Sequence, residues 1–226
     1  KMSKSKGNVV SPDDLVRDYG CDSLRLYEMF VGPPELDSEW DERGIDGVYR
    51  FITRFWKLAV DSIEANVEPT KEMIKLRHQM VHTITRRLED FSLNTVVSGF
   101  MEFNNKFIEL AKKEGGIDKE TIQTFVTLLA PFAPHIGEEL WERLGNTGSV
   151  FENNKWPEAD EELMKDDEIQ VPVQINGKTK VVISVPADIS KDDAIAQGKE
   201  ALGDKLTGNI IKEIYVPGRI VNIVMK

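Results

Sequence analysis

The sequence predicts a multidomain α and α+β protein, an antiparallel α-helical bundle followed by a small ββαββ domain. Three observations carry that prediction. From about Asp41 to Gly145 apolar residues recur at three- and four-residue steps, the period of an amphipathic helix. After Ile169 the period shortens to two, and Asn176-Gly177 separates two alternating runs, a strong hairpin sequence. Between them, residues 151–168 hold eight acids against two lysines, the composition of a linker in which like charges repel.

The chain opens on ten polar, glycine-containing residues unsuited to a helix. Ser11-Pro12-Asp13-Asp14 then starts one, with Ser as N-cap, Pro at the first helical position and acids in the first turn. Gly20 ends it, and Asp22 is expected to cap the next helix, whose apolar residues are Leu24, Leu26, Tyr27, Phe30 and Val31. Gly32-Pro33-Pro34 stops that second helix. In the bundle, Val48, Phe51, Ile52, Phe55, Leu58 and Ala59 form one stripe, and Phe100, Phe103, Phe107 and Leu110 another; both read as core. Breaks at Glu68-Pro69, Phe91-Ser92, Gly115-Gly116 and between Pro131 and Pro134 divide it into four or five helices. In the tail, residues 169–175 and 179–185 read as strands, 190–203 as a helix capped by Ser190 with Asp193 behind it, and 210–216 and 220–224 as two further strands. The expected domains are 1–45, 46–150, an acidic linker at 151–168, and 169–226.

Composition excludes several classes. With 40% hydrophobic and 30% charged residues, the chain has the apolar mass for a core. No apolar run approaches the ~20 residues of a bilayer-spanning helix. The single cysteine, Cys21, excludes an internal disulfide and a four-cysteine zinc site, in keeping with a reducing cytoplasm, and reads as a small buried residue. The net charge of −10 argues against a nucleic-acid partner as a sum. Its distribution does not: the linker carries −6 and residues 169–226 carry +2, and phosphate contacts need local basic faces.

Lys1, Lys4 and Lys6 alternate with Ser3 and Ser5 and precede Gly7, a loop chemistry suited to polyphosphate. Lysines placed where charge develops on a leaving pyrophosphate stabilise a nucleotidyl-transfer transition state more than bound ATP. The alternative is a solvated, lysine-rich terminus. Arg50 and Arg54, four apart and next to Lys57, either clamp phosphate or pair with neighbours such as Asp46. Lys71, Lys75, Arg77, Arg86 and Arg87 make a basic stretch that either follows a nucleic-acid backbone or forms a solvated face. His78 and His82 sit at metal-ligand spacing, but no Glu follows His78 and no third ligand is near, so no metal site is expected. In the tail, Lys178, Lys180, Arg219, Asn222 and Lys226 suit contact with a sugar–phosphate surface, or serve only as edge-strand charges.

Lys1-Met2-Ser3-Lys4-Ser5 resembles the signature loop of class I aminoacyl-tRNA synthetases, and the chain as a whole resembles the bacterial-type leucyl-tRNA synthetase family. Lys6-Gly7-Asn8-Val9-Val10-Ser11-Pro12 continues the signature, and Tyr19-Gly20-Cys21-Asp22-Ser23-Leu24-Arg25-Leu26 is similar to its "YGADxxRL" helix pair. Glu39-Trp40, Arg50-Phe51 and Trp56-Lys57-Leu58 fit the next segment, and Pro131-Phe132-Ala133-Pro134-His135-Ile136 with Glu139-Leu140-Trp141 fits the anticodon-binding helical domain. Val173-Gln174-Ile175-Asn176-Gly177-Lys178 and Ile214-Tyr215-Val216-Pro217-Gly218-Arg219 resemble the leucyl C-terminal domain. A single Cys departs from the zinc module that ends isoleucyl enzymes, and a β-rich tail departs from the coiled coil of valyl enzymes and from the methionyl pattern.

The resemblance implies an ATP-dependent ligase of protein biosynthesis in the cytoplasm, joining leucine to tRNA-Leu with Mg2+ in the whole enzyme. Lys1 and Lys4 would be catalytic, Lys1 through Ser5 would hold the ATP phosphates, and residues 1–45 would form the loop and stem-contact region. Arg50, Arg54, Lys57, Arg86, Arg87, Lys178, Lys180 and Arg219 would contact tRNA. No "HIGH" motif is present: His135-Ile136-Gly137 is followed by Glu138. The chain is therefore expected to be a C-terminal fragment or separate subunit, inactive without catalytic and editing domains. The alternatives are a non-catalytic tRNA-binding module and the equivalent fragment of another class I synthetase.

Overall fold

The computed structural model describes residues 4–7, 9–38, 40–152, 154–165 and 168–226, with Lys4 and Glu42 described in their backbone only. They form two compact units, one ending at Met164 and the other running from Lys165 to Lys226.

The first unit is helical: α1 (Pro12–Tyr19), α2 (Cys21–Phe30), α3 (Glu42–Ala65), α4 (Lys71–Glu89), α5 (Leu93–Glu114), α6 (Lys119–Leu129) and α7 (Pro134–Arg143). Short polar side chains open three of these helices by accepting an otherwise orphaned N–H: Asp41 from Arg43, Thr70 from Met73 and Asp118 from Thr121. Left-handed Asn66 and Gly115 close α3 and α5. Phe125 of α6 is the hub of the core, with ring centroids 4.2 Å from Phe55, 5.7 Å from Phe100 and 6.0 Å from Phe107. Both phenylalanine stripes are buried, as the helical spacing requires.

Two local expectations change. Ser11 occupies the N-cap position of α1 with extended backbone, but its side chain makes no capping bond. Asp22 does not cap its own helix. Its carboxylate crosses the unit to the opening of α7, accepting from the backbone N–H of Ile136 at 2.8 Å and of His135 at 3.4 Å, with His135 Nδ1 also 2.8 Å away. Ala133, the residue before α7, has no side-chain oxygen, so the helix takes its cap from elsewhere in the fold. One turn along α2, Arg25 donates to the carbonyls of Phe132 (3.2 Å) and Pro131 (3.0 Å). Asp22 and Arg25 thus grip the α6–α7 corner from both sides, joining two of the motifs read from the sequence.

The acidic stretch expected as a linker is largely packed on the first unit. Asn154 Nδ2 donates to Thr127 Oγ1 (2.6 Å), Trp156 Nε1 to Thr85 Oγ1 (2.8 Å), the Asp160 N–H to His78 Nδ1 (3.1 Å), and Gln79 Nε2 to the Met164 carbonyl (3.1 Å). Trp156 and Ala159 supply the apolar anchors that charge counting overlooks.

The second unit is a four-stranded mixed sheet in the order β2-β1-β4-β3, from β1 (Glu168–Ile175), β2 (Lys178–Pro186), β3 (Ile210–Val216) and β4 (Ile220–Met225). Each hairpin is antiparallel, while β1 and β4 run parallel, a pairing that needs the crossover supplied by α8 (Lys191–Leu202). Val171, Val173, Val185, Val221 and Ile223 meet Ala194, Ile195 and Leu202 of α8 in a separate small core. Asn176 and Gly177 both have positive φ, 50° and 80°, as a type I′ hairpin turn demands. Asn176 also pairs edgewise with Met225, its Oδ1 accepting from the backbone N–H at 2.9 Å and its Nδ2 donating to the carbonyl at 3.1 Å. Ser190 caps α8 through the Asp193 N–H, and the Asp193 carboxylate accepts from the Ser190 hydroxyl.

Candidate nucleic-acid interface

Lys1, Met2 and Ser3 of the expected phosphate loop lie outside the described residues, as does the side chain of Lys4. The described part is a single 3-10 turn, Lys4–Lys6, with Ser5 and Lys6 exposed, leading through Gly7 towards α1.

Arg50, Arg54 and Lys57 are all exposed on α3, because the apolar stripe of Phe51, Phe55 and Leu58 faces the core. Their existing partners are weak ones. Arg50 Nε donates to the carbonyl of Asp46 (3.2 Å), with no bond to its carboxylate, and Lys57 Nζ lies 2.9 Å from Asp61. That hydrogen bond raises the Lys57 ammonium above its ordinary value, on a pair open to water. Arg54 and Lys57 share a cavity of about 470 Å3 with Lys112 of α5, over a floor of Leu58, Ile108 and Ala111. Lys112 was not among the residues the sequence singled out, and only the packing of α5 on α3 brings it there. It pairs with Glu109 at 2.7 Å and, ahead of Lys113 and Arg54, holds that carboxyl below its usual value.

The basic stretch on α4 divides into two kinds of residue. Arg86 is exposed beside a cavity of about 610 Å3 shared with His82, Thr85, Trp156 and Pro157. Arg87 is committed to the fold: Nη1 donates to the Thr95 carbonyl at 2.6 Å, and Nη2 lies 3.6 Å from Glu102. It lies against Gly99, where any Cβ would fall 2.6 Å from Nη1. Arg77 is buried, 2.8 Å from Glu120 and 3.7 Å from Asp118. Helical spacing alone does not distinguish these three arginines; the approach of α5 and α6 does. His78 is engaged with the 154–164 segment rather than with His82.

In the second unit the tail cations separate. Lys178 and Lys180 follow the β1–β2 turn at the start of β2, where Lys205 Nζ reaches to 3.5 Å from the Lys180 carbonyl. Because β1 and β4 are parallel, that turn lies beside the end of β4 at Met225, whereas Arg219 precedes the start of β4 at the other end of the sheet. The structure therefore brings Lys178, Lys180 and Lys205 together and leaves Arg219 apart. Among the described residues, no group of three or more His, Cys, Asp and Glu is arranged to hold a metal ion, and no helix is long and apolar enough to cross a membrane.

The family model for the anticodon-binding domain of tRNA ligases matches residues 70–195, more than half of the chain. The chain belongs to that family. A second model, for class I tRNA synthetases (I, L, M and V), matches residues 1–41 of this anticodon-binding family member. Two leucine–tRNA ligases align with the whole chain, one from Fervidobacterium nodosum at 44% identity and one from Rhodopirellula baltica at 40%. The crystal structure of a ternary complex of Agrobacterium radiobacter K84 agnB2 LeuRS, tRNA and LeuAMS superimposes with a TM-score of 0.77 at 27% identity over the whole chain. The chain spans 30% and 24% of the length of the two ligases and 31% of the crystallised protein. The resemblance to leucyl-tRNA synthetases read from the motifs thus extends from end to end.

Proposed function

We propose that this chain is the tRNA-engaging portion of a leucine–tRNA ligase, carrying the ATP-phosphate loop at one end. The observation that carries this reading is the alignment of the whole chain with leucine–tRNA ligases at 40% and 44% identity. In the whole enzyme, the leucine carboxylate attacks the α-phosphorus of ATP, expelling pyrophosphate to form leucyl-adenylate, and a hydroxyl of the terminal ribose of tRNA-Leu then takes the leucyl group, releasing AMP. Lys1 and Lys4 stabilise charge on the leaving phosphates, with Met2, Ser3 and Ser5 completing the loop and Mg2+ accompanying ATP. Residues 1–45 join that loop to the helical domain, 46–150 bind the anticodon-arm side of tRNA, 151–168 connect, and the ββαββ tail, 169–226, binds tRNA further out.

Exposure ranks the tRNA-facing residues. Arg50, Arg54, Lys57 and Arg86 present cations to solvent on the helical unit, and Lys178, Lys180 and Arg219 do so on the sheet. Arg87 supports the interface from within, since its guanidinium is occupied by Thr95 and Glu102. These are phosphate-directed contacts, so they set position and affinity but read no bases. The partners are tRNA-Leu and the catalytic and editing portions of the same ligase, and the setting is the cytoplasm.

The test is to supply the catalytic portion and measure leucyl-tRNA formation with Lys4→Ala. Loss of adenylate formation with tRNA binding intact is expected. Full activity in that variant overturns the role of Lys4. Titration of the chain with tRNA-Leu across a salt series is expected to show weak binding that falls steeply with salt. Binding that ignores salt overturns the phosphate-contact reading, and tRNA binding without any contribution to ligation favours a non-catalytic module.

A further inference from the structure

Residues 154–164 are held to the helical unit at two separate places. Asn154 and Trp156 fix the first half through Thr127 and Thr85, with Trp156 against the core. The second half is exposed and acidic, and its backbone is bonded by side chains of α4: Gln79 at the Met164 carbonyl and His78 at the Asp160 N–H, 3.1 Å each. The His78 contact has a direction. A backbone N–H donates, so Nδ1 must offer its lone pair, and the ring proton must sit on Nε2. A second proton, on Nδ1, would set two donors against each other.

We propose that His78 is a protonation latch on this strap: its neutral ring holds the Asp160 end of residues 160–164 on α4 beside the Gln79 bond at Met164, and uptake of a proton removes that hold and shifts the segment towards release, lengthening the tether to the second unit. The surroundings set the latch towards the closed state. Burial, followed by the neighbouring Arg77 on α4, pushes the imidazole below its ordinary value of 6.5 against the opposing pull of Asp160 on the strap and Glu120 on α6. His82, one turn along α4, is exposed. The Asp160 carboxylate accepts from the Glu162 N–H at 2.9 Å and still attracts the ring, though less than burial and Arg77 oppose its charge. Because the docked-state value is depressed, docking is fully supported above about pH 6.5, weakens as pH falls through that value, and levels off below the depressed one. Freed residues extend at up to about 3.5 Å each. Once the Gln79 bond also opens, the segment from Asp160 to Met164 spans on the order of 15 Å when fully extended, the upper bound on the reach it lends the tether.

The test is amide hydrogen exchange of the 226-residue chain from pH 8 to pH 5, corrected for intrinsic rates. Protection at residues 160–164 is expected to fall by up to about tenfold per pH unit as pH drops below about 6.5 and to level off below the depressed His78 value, with residues 154–157 and α5 unchanged. In His78→Gln, whose carbonyl accepts without titrating, protection of 160–164 is expected to stay flat. Constant wild-type protection, or a parallel fall in the Gln variant, overturns the proposal. A measurement on the unmodified chain stands beside it: the Asp160 amide resonance should titrate together with the His78 ring. An Asp160 amide that ignores the His78 titration overturns it as well.

Discussion

Asp22→Ala tests whether a buried carboxylate on α2 holds the α6–α7 corner. The side chain is 10% exposed and accepts from Ile136 N at 2.8 Å and His135 N at 3.4 Å, with His135 Nδ1 2.8 Å away. Loss of an N-terminal cap costs about 0.5–2 kcal/mol. Because the orphaned Ile136 N–H is buried, that same loss moves to the upper part of the range of about 1–3 kcal/mol for an unsatisfied buried donor, while the imidazole of His135, 73% exposed, adds little. The expected total is about 3 kcal/mol, against about 1 kcal/mol for Asp22→Asn, which keeps one acceptor oxygen. All four tryptophans, Trp40, Trp56, Trp141 and Trp156, lie in the first unit, so fluorescence during urea unfolding reports on that unit alone. With a slope of about 2 kcal/mol per molar urea, the midpoint should drop by about 1.5 M for the Ala variant and about 0.5 M for the Asn variant. An Ala midpoint within about 0.3 M of wild type would refute the capping argument, as would His135→Ala matching Asp22→Ala.

Arg86→Ala and Arg87→Ala should part company: the first is expected to weaken tRNA binding several-fold and leave the urea midpoint in place, the second to lower the midpoint by about 1–2 kcal/mol equivalents, through the lost bond to Thr95 and the packing on Gly99. Gly99→Ala places a methyl 2.6 Å from Arg87 Nη1 and 2.9 Å from Ile84 Cδ1. The resulting overpacking, about 1–3 kcal/mol, should outweigh the ~1 kcal/mol that Ala gains in helix propensity, giving a lower melting temperature. Asn176→Ala removes both edge bonds to Met225 and forces Ala to a φ of 50°. It should loosen the β1–β2 turn and the end of β4 in hydrogen exchange while tryptophan-detected stability of the helical unit stays unchanged.

Much of this architecture can be read without coordinates. The breaks at Glu68-Pro69, Phe91-Ser92, Gly115-Gly116 and between Pro131 and Pro134 all fall between helices; proline and glycine act through their own backbone, while Ser92 takes the N-cap position of α5 without a side-chain bond, after Phe91 at a φ of 53°. The two phenylalanine stripes fall inside for the same local reason, the 3.6-residue period. Non-local bonds are what the pattern misses. Asp22 has the look of a cap for its own helix, and its partner is 114 positions away at Ile136. The acids of residues 151–168 suggest a solvated linker, and the anchors that overrule them are the Trp156 indole and the Asp160 backbone N–H, whose partners Thr85 and His78 lie on α4.

The sequence by itself determined the helical bundle, the hairpin-bearing tail, the family and the list of candidate cations, since each depends on local period, turn chemistry or a contiguous motif. Tertiary structure decided which cations remain available. Arg77, Arg86 and Arg87 occur within eleven residues of one helix, yet one is buried on Glu120, one is spent on Thr95, and one faces water. A guanidinium serves a phosphate only if no packed neighbour has taken its donors, and helices from elsewhere in the chain settle that.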